Sequence, residues 1–417
     1  MSFNQLQRFF DFGTSIHLKQ SYFLEKIMFQ GKFVFSQIVS IISRYDFNKS
    51  VEKYNGNYRA KDLKCWQHFL YMMFGQLTYR EGIRDIISCL DAHKSKVYHL
   101  GFKKIVAHTS LTRANENRDW RIWADFAQSL IKIARPLYLE DSNFTLELDN
   151  TVYALDSSTI DLCLSVFKWA KFRKKKAAVK LHTLIDLRGN IPVFIEITDG
   201  KVHDVNILDL IDFETGAFYI IDKGYYDFER LYKINQAKAF FVIRAKKNFK
   251  HKRIYSNKVD KSTGLKFDQT VKLTGTKTSI AYPEKLRLIK FYDESKPKKY
   301  RFLTNNFEID ALSITKLYKN RWQIELFFKW IKQHLKIKKF WGFSENAVKT
   351  QIWIAVCTYL IIAILKKQLN LDKSLYEILQ ILSISIFDKT PVNQLLKKTE
   401  LQSLEKGNHN QLNLFDL

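Results

Sequence analysis

The sequence contains little cysteine. Its four cysteines in 417 residues lie far apart, and no two of them form a Cys-x-x-Cys pair. A disulfide framework and a zinc ribbon both need more closely spaced cysteines, so the chain is predicted to have neither. Cysteines spread in this way are typically small, buried apolar residues. They are Cys65, Cys89, Cys163 and Cys357.

Acidic residues are also in deficit. The chain has 42 Asp and Glu against 68 Lys and Arg, which gives a formal net charge of +26. Such an excess of positive charge predicts a polyanionic partner, because it attracts negatively charged surfaces over a long range. Nucleic acid is the leading candidate, and an anionic membrane surface is its competitor.

A long hydrophobic run is missing as well. The longest apolar stretch, residues 352–365, has 14 residues and includes Thr358 and Tyr359. A bilayer span needs about 20 apolar residues, so this stretch is predicted to be a buried core helix. The first residues, Asp11 among them, lack the charged start and the cleavage site of a secretory signal. We therefore expect a cytoplasmic protein with no membrane partner.

Apolar and aromatic residues are abundant, at 46% and 15% of the chain. At this length they suffice for two or three domains. Apolar residues recur at helical spacing over residues 31–50 and 61–90, which predicts a helical, DNA-binding N-terminal domain over residues 1–145. Arg113 and Arg118 in this domain could dock in a DNA groove. The alternative is that they are merely solvated, since the segment lacks a clear helix-turn-helix signature.

Beyond residue 150 the apolar period changes from that of helices to that of strands. Three antiparallel strands are predicted first, followed by a short helix, a fourth strand, a helix and a fifth strand. This order, closed by a further helix, predicts an α/β fold with a ribonuclease-H-like catalytic domain. The predicted bounds are 146–370 for this domain, about 245–307 for a β-rich insertion within it, and 371–417 for a C-terminal helical segment with a flexible tail.

Three acids stand at positions that this topology brings together. Asp156 and Asp222 each end an apolar strand-like run, and Glu325 belongs to the closing helix. Two divalent ions held by carboxylates assist both the attacking and the leaving oxygen in phosphodiester cleavage. We therefore predict a catalytic site with two Mg²⁺ ions, bridged by Asp156, in which Mn²⁺ can substitute. Four other acids could replace one of the three but suit caps and turns better; they are Asp161, Asp186, Asp199 and Asp204.

The helix with Glu325 carries other polar residues. At about 100° per residue, Tyr318, Arg321, Glu325 and Lys332 fall within an arc of roughly 60° on one helix, beside an apolar stripe. An arginine fork and a lysine next to a metal-binding glutamate suit the positioning of phosphates. The alternative is the solvated charged face of an amphipathic helix.

Several motifs together resemble those of a known family. Over about residues 30–365 the chain is similar to the DDE transposases of the IS4 insertion-sequence family. The tyrosine, arginine, glutamate and lysine signature is the most specific motif, because four residue types agree at fixed spacing. The motifs are Ala154-Leu-Asp156-Ser-Ser-Thr-Ile-Asp-Leu, Lys180-Leu-His182, Asp199-Gly-Lys-Val-His-Asp204, Asp222-Lys-Gly-Tyr225 and Tyr318-x2-Arg321-x3-Glu325-x6-Lys332.

The resemblance implies a function. It implies metal-dependent cleavage and strand transfer at the terminal inverted repeats of the protein's own insertion sequence, by a cut-and-paste reaction on the bacterial nucleoid. It also implies that Tyr318, Arg321 and Lys332 contact DNA phosphates at the transposon end. A homodimer on double-stranded DNA is expected, because two ends must be joined in one complex. The alternatives are a ribonuclease-H-like nuclease without strand transfer and a transposase-derived DNA-binding protein without catalysis.

Other side chains near these motifs have open roles. Trp322 offers an indole on which a flipped base could stack, although an indole at a domain junction is commonly just packed. Lys180 and His203, which belong to the shared motifs, are expected to contact DNA. His182 and His203 either lie near the scissile phosphate or are hydrogen-bonded structural histidines.

A short peptide near the end of the sequence resembles a docking motif. Gln411, Leu412, Leu414 and Phe415 follow a polar stretch and are similar to the peptide by which bacterial DNA-processing proteins bind the replication sliding clamp. A glutamine at a pocket rim with apolar anchors suits a weak, reversible contact. The alternative is a tail that packs on its own domain.

Overall fold

The computed structural model describes residues 31–139, 150–174, 176–246, 248–294, 297–335, 337 and 339–397, apart from the side chain of residue 334. The chain divides into two compact units. One contains residues 1–114 and 361–417, and the other contains residues 115–360. The bounds predicted from the sequence, 1–145, 146–370 and 371–417, stay predictions. The clamp-like peptide at residues 411–415 lies outside the described residues.

Helices form where apolar residues recur every three or four positions. In chain order they are α1 (Val34–Ser40), α2 (Arg44–Lys53), α3 (Cys65–Leu77), α4 (Ile83–Ala92), α5 (Lys94–Val97), α6 (His108–Asn117), α7 (Arg121–Leu137), α8 (Phe228–Gln236), α9 (Thr276–Ala281), α10 (Ala311–Lys319), α11 (Trp322–His334), α12 (Glu345–Gln368), α13 (Leu375–Ser385) and α14 (Val392–Leu396).

The first unit is built around α3. This helix is apolar on nearly all sides and is accordingly buried along most of its length. Helix α4 packs on it and buries Ile83, Ile86 and Leu90 from one face, and α13 packs on it as well. A capping box of Ser374 and Glu377 fixes the start of α13. The predicted helical N-terminal region is confirmed.

The second unit contains a ten-stranded sheet in the part of the chain that the structure describes. Its strands are β1 (Val152–Leu162), β2 (Lys171–Arg173), β3 (Lys176–Asp186), β4 (Ile191–Asp199), β5 (Phe218–Ile221), β6 (Phe240–Arg244), β7 (His251–Asn257), β8 (Leu265–Leu273), β9 (Leu286–Asp293) and β10 (Lys298–Thr304).

Five of these strands have the order β4-β3-β1-β5-β6. Strand β3 is antiparallel to both β4 and β1, whereas β5 is parallel to β1 and β6 is parallel to β5. Two parallel strands joined by α8 and preceded by an antiparallel meander are typical of the ribonuclease-H-like sheet. The predicted fold class is confirmed.

The β-rich insertion predicted at about residues 245–307 extends this same sheet. Strand β10 pairs antiparallel with β6, with Phe302 opposite Arg244, and β9, β8 and β7 follow in order. The insertion therefore does not form a separate sheet. Its inner strands are as buried as the central ones because both belong to one apolar core.

Helix α12 is longer than the apolar run that predicts it. It has 24 residues, and by length and composition alone it could cross a membrane. The predicted 14-residue run is therefore only part of the helix. However, 94% of its most apolar window is buried, which is typical of the core helix that was predicted.

Candidate active site

Asp156 and Asp222 lie side by side because of the strand register. Leu155 of β1 pairs with Ile221 of β5, so the two acids follow a matched pair of parallel residues. Asp222 directly follows the last residue of β5, at the strand end where it was predicted. Asp156 does not end its strand, because β1 continues to Leu162 through its pairing with β3. The apolar run ends at Asp156 because β5, the neighbour on the other side, stops there.

The third acid comes from a broken helix. The sequence predicted one helix carrying Tyr318, Arg321, Glu325 and Lys332, and this prediction is wrong. Helix α10 ends at Lys319 and α11 begins at Trp322. Between them the backbone N–H of Arg321 donates to the carbonyl of Tyr318, the tighter i to i−3 pattern. Arg321 therefore stands at a junction, with Glu325 in the first turn of α11.

Two side chains from this junction bind all three predicted acids. Arg321 Nη1 donates to Asp156 Oδ2 at 2.6 Å, and Arg321 Nη2 donates to Glu325 Oε1. The hydroxyl of Tyr318 donates to Asp222 Oδ1 at 3.2 Å. The arginine side chain is only 17% exposed. The structure therefore places Asp156, Asp222 and Glu325 around one guanidinium and one phenol.

The electrostatics of the cluster favour a cation. Burial, with smaller contributions from the charges of Asp222 and Glu325, raises the pKa of Asp156 to about 6, even though Arg321 opposes the shift. Burial, followed by the charge of Asp222, also raises the pKa of Tyr318. Ionised carboxylates in such a place need a positive partner, which Arg321 supplies.

The donor atoms suit a hard divalent ion, because carboxylate oxygens are the ligands that Mg²⁺ prefers. Within the described residues, no group of three or more His, Cys, Asp or Glu side chains is arranged so that it could hold a metal ion as it stands. The contacts give the reason: Asp156 and Glu325 are both turned to Arg321, and Asp222 is turned to Tyr318.

A cleft of about 450 Å³ opens beside the cluster. Arg321 and Glu325 line it, and so does Trp322, whose side chain is off the apolar stripe as predicted and 49% exposed. The rest of its wall includes three aromatic rings, two cations and an acid that pairs with one of them at 3.5 Å; these are Phe291, Tyr300, Phe302, Arg244, Lys319 and its partner Asp293. Flat rings beside positive charges suit a nucleic-acid strand.

The two predicted lysines make different contacts near β1. Lys332 Nζ donates to the carbonyl of Thr159, three residues beyond Asp156. Lys180 Nζ donates to the carbonyl of Val202 and pairs with Asp204 Oδ1 at 3.0 Å. Lys332 thus lies beside the strand that carries Asp156, whereas Lys180 is engaged with a different acid.

Asp204 is a residue whose position the sequence did not indicate. It was assigned to caps and turns, and it does open a 3₁₀ helix, Asp204–Leu210. It also pairs with Lys180 and lies near Gly224, in the turn that follows Asp222. In the sequence, only its place beside His203 in a shared motif indicated that Asp204 could lie near the site. His203 itself is exposed.

His182 is fully buried. Its Nε2 shares a hydrogen bond of 2.9 Å with Thr198 Oγ1, and its Nδ1 lies 3.8 Å from Asp204 Oδ1. Burial lowers its pKa to about 4, Asp204 opposes the shift, and Lys180 adds to it. These contacts are those of a neutral, structural histidine.

This predicts a pH dependence. In the unfolded chain His182 takes up a proton below about pH 6.5, whereas in the folded chain it does so only below about pH 4. The contribution of His182 to the free energy of unfolding is therefore fully present above pH 6.5 and is lost as the pH falls toward 4. Between these two pH values, the free energy of unfolding should fall by about 1.4 kcal/mol more per pH unit in the wild type than in His182→Gln. Urea unfolding at a series of pH values measures this difference. Parallel curves for the two proteins would contradict it.

The two predicted N-terminal arginines lie on α6 and just after it. Arg113 is exposed on α6. Arg118 is half-buried just after α6, and its carbonyl accepts a hydrogen bond of 2.6 Å from Asn346 Nδ2.

The second unit thus combines a ribonuclease-H-like sheet with two aspartates beside neighbouring parallel strands and a glutamate on a later helix. This combination is that of proteins with an Asp-Asp-Glu (DDE) triad. Residues 147–361, about half of the chain, match the family model of the transposase DDE domain. The chain belongs to this family, and its predicted resemblance to DDE transposases is confirmed. Residues 30–103 match a second model, described as a domain of unknown function (DUF4372).

Curated relatives agree with this assignment. The chain is 37% identical over 215 residues to a Sinorhizobium fredii protein described as transposase y4zB, covering 50% of this chain and 59% of the relative. It is 30% identical over 238 residues to a "Probable transposase for insertion sequence element IS5377" of Geobacillus stearothermophilus, covering 55% and 62%. The chain thus spans about three fifths of the length of these two relatives.

Two more distant likenesses were found. A Synechocystis protein described as a transposase for insertion sequence element IS4SA is 26% identical over 267 residues, covering 62% of this chain and 71% of the relative. A solved structure of piggyBac transposase in a synaptic complex with hairpin DNA has a TM-score of 0.46 and 12% identity, covering 92% of this chain and 84% of that chain.

Proposed function

We propose that this protein is an IS4-type DNA transposase that cleaves and transfers strands at the terminal inverted repeats of its own insertion sequence. Membership of the transposase DDE domain family supports the reaction. The observation that carries the site is the convergence of Asp156, Asp222 and Glu325 on the Tyr318 and Arg321 side chains. A cut-and-paste pathway is consistent with the family.

Transposase DDE domains generally use divalent metal ions. We assign Asp156, Asp222 and Glu325 as the residues that hold two Mg²⁺ ions, which Mn²⁺ can replace. Bound there, the ions would supply Lewis-acid stabilisation of the attacking and leaving oxygens. Because Asp156 is mounted within β1 and paired to β3, it provides a rigid support for the site.

Around the acids, the chain's own cations and rings would bind DNA. Arg321 and Lys332 are assigned to phosphates, together with the hydroxyl of Tyr318. The half-exposed indole of Trp322 faces the cleft and is available for base stacking. More peripheral DNA contacts are assigned to Lys180, His203, Arg113 and Arg118. The net charge of +26 supports a polyanionic substrate.

The assembly and its location are part of the proposal. Two ends must be held together for joining, so the DNA complex is proposed to contain a homodimer. The protein would act in the bacterial cytoplasm, on the nucleoid. The alternatives are a nuclease without strand transfer and a non-catalytic DNA-binding protein. The three converging acids favour catalysis over the second alternative.

An excision assay in cells tests the function. A marker gene placed between the inverted repeats that flank the reading frame should move to new sites when the protein is supplied in trans. Insertions should be bordered by short target duplications. Retention of the marker at its original site in every colony would contradict the proposal.

The phosphate assignments predict a change in salt dependence. Arg321→Ala and Lys332→Ala should each weaken binding of transposon-end DNA and reduce the slope of log affinity against log salt by about one unit per lost phosphate contact. Fluorescence anisotropy at several salt concentrations measures the slope. Lys285→Ala, which removes an exposed lysine just before β9 that is not part of the cleft lining, is a matched control and should leave the slope unchanged. Unaltered slopes in the first two variants would place their side chains away from DNA.

The peptide at residues 411–415 predicts a further partner. If it binds the sliding clamp, the double substitution Leu414→Ala and Phe415→Ala should abolish clamp binding and leave cleavage of end DNA unchanged, because the peptide is distant in sequence from the acids. Titration of each protein with purified clamp measures this. Equal clamp affinity for both proteins, or none for the wild type, would remove the hypothesis.

A further inference from the structure

Arg321 lies at the centre of the acid cluster. Its guanidinium donates to Asp156 at 2.6 Å through one nitrogen and to Glu325 through another. Both contacts are charge-assisted hydrogen bonds, the stronger kind in proteins. Two of the three acids assigned to the metal ions are therefore held by one guanidinium, whose single positive charge offsets one of their two negative charges.

The place of Arg321 in the fold allows this contact to be broken. The residue stands between α10 and α11, where the helical hydrogen-bond pattern is interrupted, and not within a regular helix. The cleft of about 450 Å³ adjoins it, with Trp322 and Lys319 also on its wall. Because Arg321 itself lines this cleft, rotation of its side chain alone would move the guanidinium away from the acids and toward a ligand in the cleft.

We propose that Arg321 is an internal counter-ion that competes with the divalent ion for Asp156 and Glu325, and that a DNA phosphate in the cleft removes it. The inference rests on the proposed function, since it takes the polyanion to be DNA. It makes metal binding and DNA binding mutually dependent. The acids would accept a divalent ion tightly only when DNA is present, which limits cleavage to the bound substrate.

Elementary electrostatics supports the competition. A divalent ion on Asp156 and Glu325 would place two positive charges beside a guanidinium that is largely buried, where like charges repel strongly. A phosphate offers the arginine an equivalent bidentate partner and relieves that repulsion. The coupling must be reciprocal, so the divalent ion should also tighten DNA binding in the wild type.

The first test compares Mn²⁺ binding in the absence of DNA, measured by the electron paramagnetic resonance signal of the free ion. Arg321→Gln should bind Mn²⁺ at least about tenfold more tightly than the wild type, since the two charge-assisted contacts no longer compete. Arg244→Gln is the control. It removes a positive charge from the same cleft, but that guanidinium lies over the ring of Tyr300, so its effect should be much smaller.

The second test adds a pre-cleaved duplex carrying the inverted repeat. DNA should raise the Mn²⁺ affinity of the wild type to nearly that of Arg321→Gln and should change the variant little. Equal or weaker Mn²⁺ binding by Arg321→Gln without DNA would overturn the inference, because Arg321 would then order the acids for the ion. The absence of Mn²⁺ binding in both proteins would overturn it too.

The comparison of Mn²⁺ affinities requires that the Arg321→Gln variant is folded, which circular dichroism checks. If Arg321→Gln loses its folded circular dichroism spectrum, Arg321→Lys replaces it, because lysine keeps the charge but cannot bridge both acids. It should still bind Mn²⁺ more tightly than the wild type, and a failure to do so would overturn the inference. Absence of cleavage on any DNA would count against the proposed function alone, since the DNA-free comparison does not depend on it.

Discussion

Asp156→Ala, Asp222→Ala and Glu325→Ala, each made alone, are expected to lower strand cleavage by on the order of a thousandfold while leaving binding of end DNA largely intact. Each acid has a separate position in the cluster, so none can substitute for another. Cleavage of a labelled duplex in Mg²⁺, together with anisotropy for binding, measures both effects.

Asp161→Ala is the matched control for these variants. Asp161 lies on the same strand as Asp156 but is exposed and opposite Ala178 of β3, outside the cluster. Its cleavage rate should equal that of the wild type. Cleavage that persists in all three acid variants, or that is lost in Asp161→Ala and kept in Asp156→Ala, would refute the assignment.

Arg287→Ala is expected to destabilise the second unit by about 3–5 kcal/mol, because it leaves a buried carboxylate without its counter-ion. Arg287 Nε and Nη2 both donate to Asp268 at 2.9 Å, across β9 and β8, and the pair is buried. Another nitrogen of Arg287 donates to the carbonyl of Ile309, just before α10. The pair therefore links the insertion to the segment that leads to the acid cluster.

The midpoint of urea unfolding, followed by fluorescence, measures this loss. Arg121→Ala is the control, since Arg121 pairs with Asp119 near the surface and such pairs contribute about 0–1 kcal/mol. Similar midpoints for Arg287→Ala and Arg121→Ala would contradict the prediction and would mean that water reaches Asp268 once the arginine is removed.

The neighbourhood of Asp156 and Asp222 could be predicted from sequence because strand pattern and order determine it. An apolar run that ends in an acid marks the point where a strand stops being buried. The alternation of strands and helices indicates which strands are parallel. The continuation of β1 beyond Asp156 could not be predicted. It depends on pairing with β3 alone, for which polar residues are no obstacle.

The break between α10 and α11 could not be predicted from the sequence for a different reason. No proline or glycine marks it, and Asn320 is only a moderately poor helix former. The contacts of Arg321 and Tyr318 with strand-borne acids accompany the break, and such tertiary contacts leave no local signal. Their partners follow from the fold and not from helical spacing.

The continuity of the insertion with the sheet and the full length of α12 were missed through non-local effects. Pairing of β10 with β6 joins strands that are separated in sequence by most of the insertion. In α12, Thr350 and Gln351 interrupt the apolar pattern although both are buried. Gln351 fits there because its amide bonds the backbone of Lys339 and of Trp341.

The most direct measurement incubates the purified protein with Mg²⁺, a duplex bearing the flanking inverted repeat, and a target duplex. The account predicts cleavage at the repeat followed by covalent joining of the released 3′-hydroxyl end to the target, both absent in Glu325→Ala. Cleavage without joined product would identify a nuclease instead. No cleavage in Mg²⁺ or Mn²⁺, with end DNA bound normally, would contradict the central claim that Asp156, Asp222 and Glu325 form a catalytic site.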